Sequence, residues 1–291
     1  MIDFLKDYFK SNNLLLKDIT NKTKELLVDS NSYILKEATI NINSIYVYLK
    51  SQNVKSVIYP IDYLEINNRK YFLFKKHYDY NYPNSKKITE MQDILKEIHY
   101  KTRIIKKIKK SDIKYLYRIE YKLNYKFSLL EAFIRSIEMK EIKEDFDWII
   151  LSKYHYFLDC KQELEKLSVE IYNSIENKKS IEFSIIHGKP SIDHLVDSKL
   201  ISFENAKLGF FVSDISKFYI ENDHINIDWF ILIDNWLEKE EKLYRYYFKF
   251  LVLYIYILNL NINYLNNYSC LNNYIRISDK IRIFLNNFKN L

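Results

Sequence analysis

Glycine is nearly missing: the 291-residue chain holds 2, with 3 prolines. A backbone this poor in Gly cannot build the dinucleotide fingerprint, the glycine-rich phosphate loop or the Gly-flanked nucleophile elbow, all of which need residues without a Cβ. Cysteine is as scarce. Cys160 and Cys270 lie far apart with no Cys-x-x-Cys spacing, so neither a zinc knuckle nor a disulfide framework is encoded, and a reducing, cytoplasmic setting is expected. Long apolar runs are also lacking. The most apolar stretch, Phe250 to Leu258, sits between Lys249 and Asn259 and falls far short of the roughly 18–20 residues a bilayer span needs, so it is read as a buried helix. Met1 to Asp7 mix acid and base without the basic-then-apolar order of an export signal, and none is expected. Nor does one sign of charge dominate: 45 Lys+Arg against 38 Asp+Glu leave +7, too diffuse to name a partner.

What is present is a core-forming composition, 48% hydrophobic and 29% charged. The first third reads as β-rich with one or two short helices. Glu25 to Val28 and Tyr33 to Lys36 flank the polar cluster Asp29 to Ser32, the pattern of a hairpin. Ile42, Ile45, Tyr46 and Leu49 recur at helical spacing. Val57 to Glu65 and Tyr71 to Phe74 form a second hairpin through Asn67-Asn68, because Asn tolerates the positive φ of a tight turn. From Lys86 to about Lys179 helical patterning dominates. A strand, Ser180 to Ile186, and a short pair, His194 to Val196 with Leu200 to Phe203, then interrupt it before helix resumes beyond Ser213.

Both glycines fall in that interruption, Gly188 and Gly209, where only Gly fits by backbone angle or close approach. Here the sequence resembles the aminoglycoside phosphotransferase and choline kinase-like family, whose catalytic loop reads approximately H-G-D-x-x-x-x-N and whose metal-binding segment reads approximately D-F-E-x-A-x-x-G-x-x-x-x-D. His187 and Gly188 match the first motif; Phe203, Glu204, Ala206, Gly209 and Asp214 match the second. Leu95 to His99 resembles the family's L-x-x-x-H helix, and Lys36 its lysine on the third strand.

The resemblance implies an α+β, two-lobed protein-kinase-like fold with a small β-rich N-terminal lobe and a larger helical C-terminal lobe. It places an N-terminal lobe at 1–76, a hinge at 77–85 and a helical lobe at 86–291 with the catalytic loop at 186–214. It implies loop-bracing roles for His187, Gly188, Gly209 and Asp214, and nucleotide contact by Lys36. The reactive positions depart from the family. Lys189 stands at the base, His194 at the metal-ligand Asn and Ser202 at the metal-ligand Asp. A charged lysine cannot accept a hydroxyl proton, and losing a general base alone costs about 10²- to 10⁴-fold in rate. Asp193 and Glu204 are the only carboxylates near the lost metal positions. The turn at 29–32 contains no Gly to form a lid over phosphates. No acid occurs from Ala38 to Ile61 to hold Lys36, which is therefore expected to lack its usual partner.

The leading expectation is a kinase-like protein without catalysis, a pseudokinase acting by binding a nucleotide-like molecule or a protein partner. Two alternatives stand beside it. One is a divergent ATP-dependent small-molecule phosphotransferase using Asp193 and Glu204 for Mg²⁺. The other is a nucleic-acid or anionic-surface binder using a basic helical face of Arg103, Lys106, Lys107 and Lys110, against which the mild net charge argues. ATP and Mg²⁺ enter only through the resemblance. The replaced ligands weigh against both.

Overall fold

The computed structural model describes residues 1–38, 42–79, 82–176, 178–262 and 268–291, with the backbone alone for 110–116, 268 and 269. In chain order the elements are α1 (Ile2–Phe9), β1 (Leu14–Thr20), β2 (Thr23–Val28), β3 (Asn31–Glu37), α2 (Ile42–Ser51), β4 (Asp62–Ile66), β5 (Arg69–Lys75), α3 (Asn84–Lys101), β6 (Ile104–Lys107), α4 (Lys110–Glu138) and α5 (Asp145–Glu176). There follow β7 (Ser180–Ile186), β8 (Leu195–Val196), β9 (Lys199–Leu200), β10 (Lys207–Gly209), α6 (Val212–Asn222), α7 (Trp229–Leu237), α8 (Lys242–Leu258) and α9 (Tyr268–Asn287). They gather into two compact units, one of Met1–Ile104, Phe183–Asp214 and His224–Asn226, the other of Ile105–Glu182, Ile215–Asp223 and Ile227–Leu291.

The first unit carries a five-stranded antiparallel sheet in the order β1-β2-β3-β5-β4. Successive side chains of a strand point to opposite faces, and β5 uses both. Tyr71 and Leu73 join Leu5, Leu26, Val28, Leu35, Leu64 and Ile66 in one buried cluster, while the Phe72 ring meets Tyr46 of α2 at 5.5 Å. The β4–β5 turn is Asn67-Asn68, both at positive φ (50° and 61°), as the pair of Asn residues predicts. Asp197-Ser198 turn β8 into β9 in the same way, both at φ 52°.

Three expectations need correction. The sheet begins one strand earlier than the hairpin pattern indicates. β1 is an edge strand with Leu15 and Ile19 exposed, so its alternation is weak, and it reaches β2 through Asn21-Lys22, while the expected hairpin turn within 29–32 joins β2 to β3. Val57 lies outside β4 and makes a single parallel bridge to Leu200. The basic helix around Arg103 does not exist. α3 stops at Thr102, whose hydroxyl donates to Ile98 O at 2.7 Å and accepts the Ile185 N–H at 2.9 Å. Ile104 to Lys107 is then β6, at the edge of a three-stranded sheet ordered β10-β7-β6. The β-branched Ile104 and Ile105 suit a strand, and in a strand Lys106 and Lys107 point to opposite faces, so no continuous basic stripe forms. Lys110 belongs to the segment described by backbone alone.

The second unit is built on α5, which packs against α8 and α9. Phe157 meets Tyr274 at 4.8 Å, and the Tyr274 hydroxyl donates to Ile150 O at 3.0 Å. Tyr219 lies among Phe248, Phe284 and Phe288. Tyr244 and Tyr256 are buried, so the Tyr-rich α8 serves packing, with the Tyr256 hydroxyl donating to Asp223 at 3.0 Å. Cys160 and Cys270 are buried in this unit. No described helix is long and apolar enough to cross a membrane.

Candidate functional site

The centre of the site is a carboxylate. Asp214, in the first turn of α6, is fully buried and accepts the backbone N–H of His187 at 2.6 Å, the N–H of Gly188 at 2.8 Å and His99 Nε2 at 3.0 Å. A carboxylate only accepts, so His99 Nε2 carries the proton. Burial pushes the Asp214 carboxyl up, but the His99 hydrogen bond and charge, the charge of His187 and the Gly188 amide outweigh it and hold the group below its ordinary value. One side chain thereby ties the end of α3 and the loop after β7 to the start of α6.

That loop requires glycine at one point. Gly188 has φ +84°, and a Cβ there would lie 2.3 Å from the carbonyl oxygen of Asn205. At Gly209, paired with Ser184 across β10 and β7, a Cβ would press on the Ile186 side chain at 2.6 Å. Sequence scarcity thus marks both positions, one by backbone angle and one by close approach.

Above the loop the rings of Tyr46, Phe203 and His187 form a column. Phe203 is fully buried, 5.6 Å from Tyr46 and 5.0 Å from His187. His187 Nε2 donates to Ile201 O at 2.8 Å, while its Nδ1 has no hydrogen-bond partner among the described residues. Burial, then the charge of Glu204, pushes the Tyr46 phenol up, so it stays neutral.

Lys36 of β3 comes down to this column, as the sequence placed it, and its ammonium pairs with Glu204, with the Ser202 hydroxyl 3.4 Å away. Lys36 has no acid from α2, as expected, but it does have a partner. Its partner comes from the 3₁₀ turn Phe203–Asn205 instead of α2. Ser202 itself is left-handed, at φ 68° and ψ 55°, a conformation costing a non-Gly residue about 1–2 kcal/mol. That strain aims the turn so that Phe203 points into the core and Glu204 toward Lys36.

Of the three replaced positions, Lys189 is exposed, and its carbonyl accepts from His194 Nδ1 at 3.0 Å. Burial, then the charge of His187, lowers the His194 imidazole below its ordinary value, so it stands neutral near pH 7. The unfolded imidazole binds its proton more tightly than the folded one. Stability through His194 is therefore full above about pH 6.5 and declines as pH falls below that value. A His194→Asn variant should flatten the thermal midpoint between pH 7 and 5, and a midpoint profile unchanged by the substitution would contradict this.

Asp193 is exposed and bonded locally, its N–H to Ser191 Oγ at 3.4 Å. Mg²⁺ demands near-octahedral oxygen ligands and is usually held by carboxylates. These positions offer a serine hydroxyl, an imidazole and an ammonium, and Glu204 is engaged by Lys36. The residues present do not fit the metal, and among the described residues no group of three His, Cys, Asp or Glu side chains is placed to hold one.

No protein-family model matches the chain, and no curated protein matches it. Solved structures do. An aminoglycoside phosphotransferase from Alicyclobacillus acidocaldarius superposes with a TM-score of 0.61 at 13% identity, over 97% of this chain and 94% of that one. A thermostable mutant of aminoglycoside phosphotransferase APH(4)-Ia in its apo form gives 0.51 at 10% identity, over 100% of both. A further mutant of that enzyme, in ternary complex with AMP-PNP and hygromycin B, gives 0.52 at 10% identity over 99% of both. The chain has the kinase-like α+β fold of these phosphotransferases.

Proposed function

We propose that the protein is a pseudokinase: it keeps the fold of the small-molecule kinases and works by binding a nucleotide-like molecule or a protein partner, without transferring phosphate. The observation that carries this reading is the closure of Lys36 on Glu204 beside Ser202. In the resemblance, that lysine contacts phosphate, and the neighbouring aspartate, here Ser202, holds the metal. In this chain a carboxylate already neutralises the lysine. Lys189 supplies no base, and His194 and Ser202 supply no carboxylate for Mg²⁺. The bracing of the loop by Asp214 is retained in full, which suits a protein that needs the shape of the site more than its reactivity. Nucleotide enters the proposal because a protein of this fold was solved with AMP-PNP.

Thermal midpoints with ATP, ADP or AMP-PNP, with and without Mg²⁺, test the reading, because a ligand that binds only the folded state raises the midpoint. Any nucleotide-induced rise should be the same without the metal, and phosphate transfer or ATP hydrolysis should stay at background. Mg²⁺-dependent turnover that disappears in Glu204→Ala or Asp193→Ala would overturn it in favour of the divergent enzyme. A related result is expected from Glu204→Gln. The pair is partly exposed, so its loss should cost at most about 1 kcal/mol of stability. Freeing the Lys36 ammonium should tighten metal-free ADP binding by about fivefold, the worth of roughly 1 kcal/mol of relieved repulsion. Unchanged ADP affinity in that variant would show that Lys36 does not face the nucleotide.

A further inference from the structure

We infer a second ligand site in the first unit, separate from the residues around Lys36, that takes a small molecule bearing a phosphate group. A cavity of about 390 Å³ is lined by Lys50, Lys55, Lys199 and His77, with Tyr59 and Ile58 among its other walls. That volume lies within the roughly 300–1,000 Å³ of small-ligand sites. Among the described residues no carboxylate pairs with the ammonium of Lys50, Lys55 or Lys199. Two acids on neighbouring segments make other contacts. Asp197 Oδ2 is 3.1 Å from His77 Nδ1, and Glu97 accepts from the Lys55 N–H, the Ser56 hydroxyl and Lys101.

Several carbonyls at and beyond the end of α2 are already hydrogen-bonded. The Leu49 and Lys50 carbonyls accept the Val54 and Asn53 N–H groups, the Asn53 carbonyl accepts from Lys101, and the Val54 carbonyl accepts the Tyr59 hydroxyl. What remains is a concavity whose lining holds three lysines and no carboxylate. Like charges gathered about one hollow repel one another, and an anion with several acceptor oxygens relieves that repulsion while making charge-assisted hydrogen bonds. The concave form favours a compact phosphate ester over an extended polyanion.

The wall is joined to the first site through the backbone. Ile58 N–H donates to Leu200 O at 3.0 Å and Leu200 N–H to Ser56 O at 2.8 Å, and Leu200 lies two residues before Ser202. Binding here therefore bears on the segment that carries Ser202 and Glu204.

The test is calorimetric titration of the intact protein with metal-free pyrophosphate and with a hexose 6-phosphate at low salt. Both should bind the wild type. Affinity should fall at least about tenfold in Lys50→Ala/Lys55→Ala/Lys199→Ala, and hold within about twofold in Lys36→Met and in the charge-matched control Lys10→Ala/Lys22→Ala/Lys70→Ala. Absence of binding, or an equal loss in the control, overturns the site. Loss in Lys36→Met instead puts the anion at the Lys36 site and overturns it too, while leaving the pseudokinase reading intact. A single-stranded oligonucleotide that binds more tightly than either probe, through the same three lysines, overturns the assignment to a small molecule.

Discussion

An Asp214→Ala variant is expected to lose about 3–5 kcal/mol of folding stability, the usual result of breaking a fully buried charged pair by removing one partner. Three donors converge on this carboxylate: the amides of His187 and Gly188 and the ring of His99, which is itself buried. Alanine removes the buried acceptor that these three donors share. Asp214→Asn keeps one carbonyl oxygen and should recover part of the loss. Urea unfolding of both variants measures it. A loss under 1 kcal/mol in Asp214→Ala would mean that the loop is held by packing alone. The sign with pH follows from the depressed carboxyl. Its folded value lies below the unfolded one, so its contribution is complete above the unfolded carboxylate value, about 4, and is lost as pH falls through the lower folded value. Between pH 5 and 8 the variant should therefore show a constant deficit, closing only at strongly acid pH.

Gly188→Ala is expected to cost about 2–4 kcal/mol, from two sources. The residue sits at φ +84°, where a side chain costs about 1–2 kcal/mol. The new Cβ would also stand 2.3 Å from a backbone carbonyl oxygen, which cannot rotate away as a side chain can. Separating the loop from Asn205 would disturb the turn carrying Phe203 and Glu204, so ADP affinity should change along with stability. Gly209→Ala is the contrast. The obstacle there is the Ile186 side-chain end, which can turn aside, and the cost should be well under half as large. Equal losses for the two substitutions, read by denaturant midpoint at constant slope, would refute the backbone argument.

The legible parts of the chain were those where a local rule had one physical cause. Asn67-Asn68 announced a turn because few residues tolerate consecutive positive φ, and the structure has both there. The two glycines announced a constrained loop, and the structure has Gly188 at φ +84° there. The missed parts needed knowledge of partners far along the chain. Lys36 and Glu204 are joined by folding, and nothing near either one in sequence signals the other. β6 is hidden in the sequence because Ile and Lys spaced three and four apart fit a helix as well as a strand. The decision was made by Thr102, whose hydroxyl ends α3 and receives the Ile185 amide of β7. β1, exposed along its edge, lacked the alternation that a half-buried strand displays.

Both cysteines belong to the second unit, and both are buried, Cys160 fully, where burial raises its thiol far above the range in which it ionises. Alkylating reagents attack the thiolate, so the Cys160 sulfur does not react until that unit opens. The Cys160 sulfur is therefore a natural clock for its breathing, indifferent to events at Asp214 or Gly188 unless the damage propagates. A loop variant that melts early yet leaves alkylation slow would reveal two separately cooperative halves, whereas simultaneous acceleration would reveal a single one.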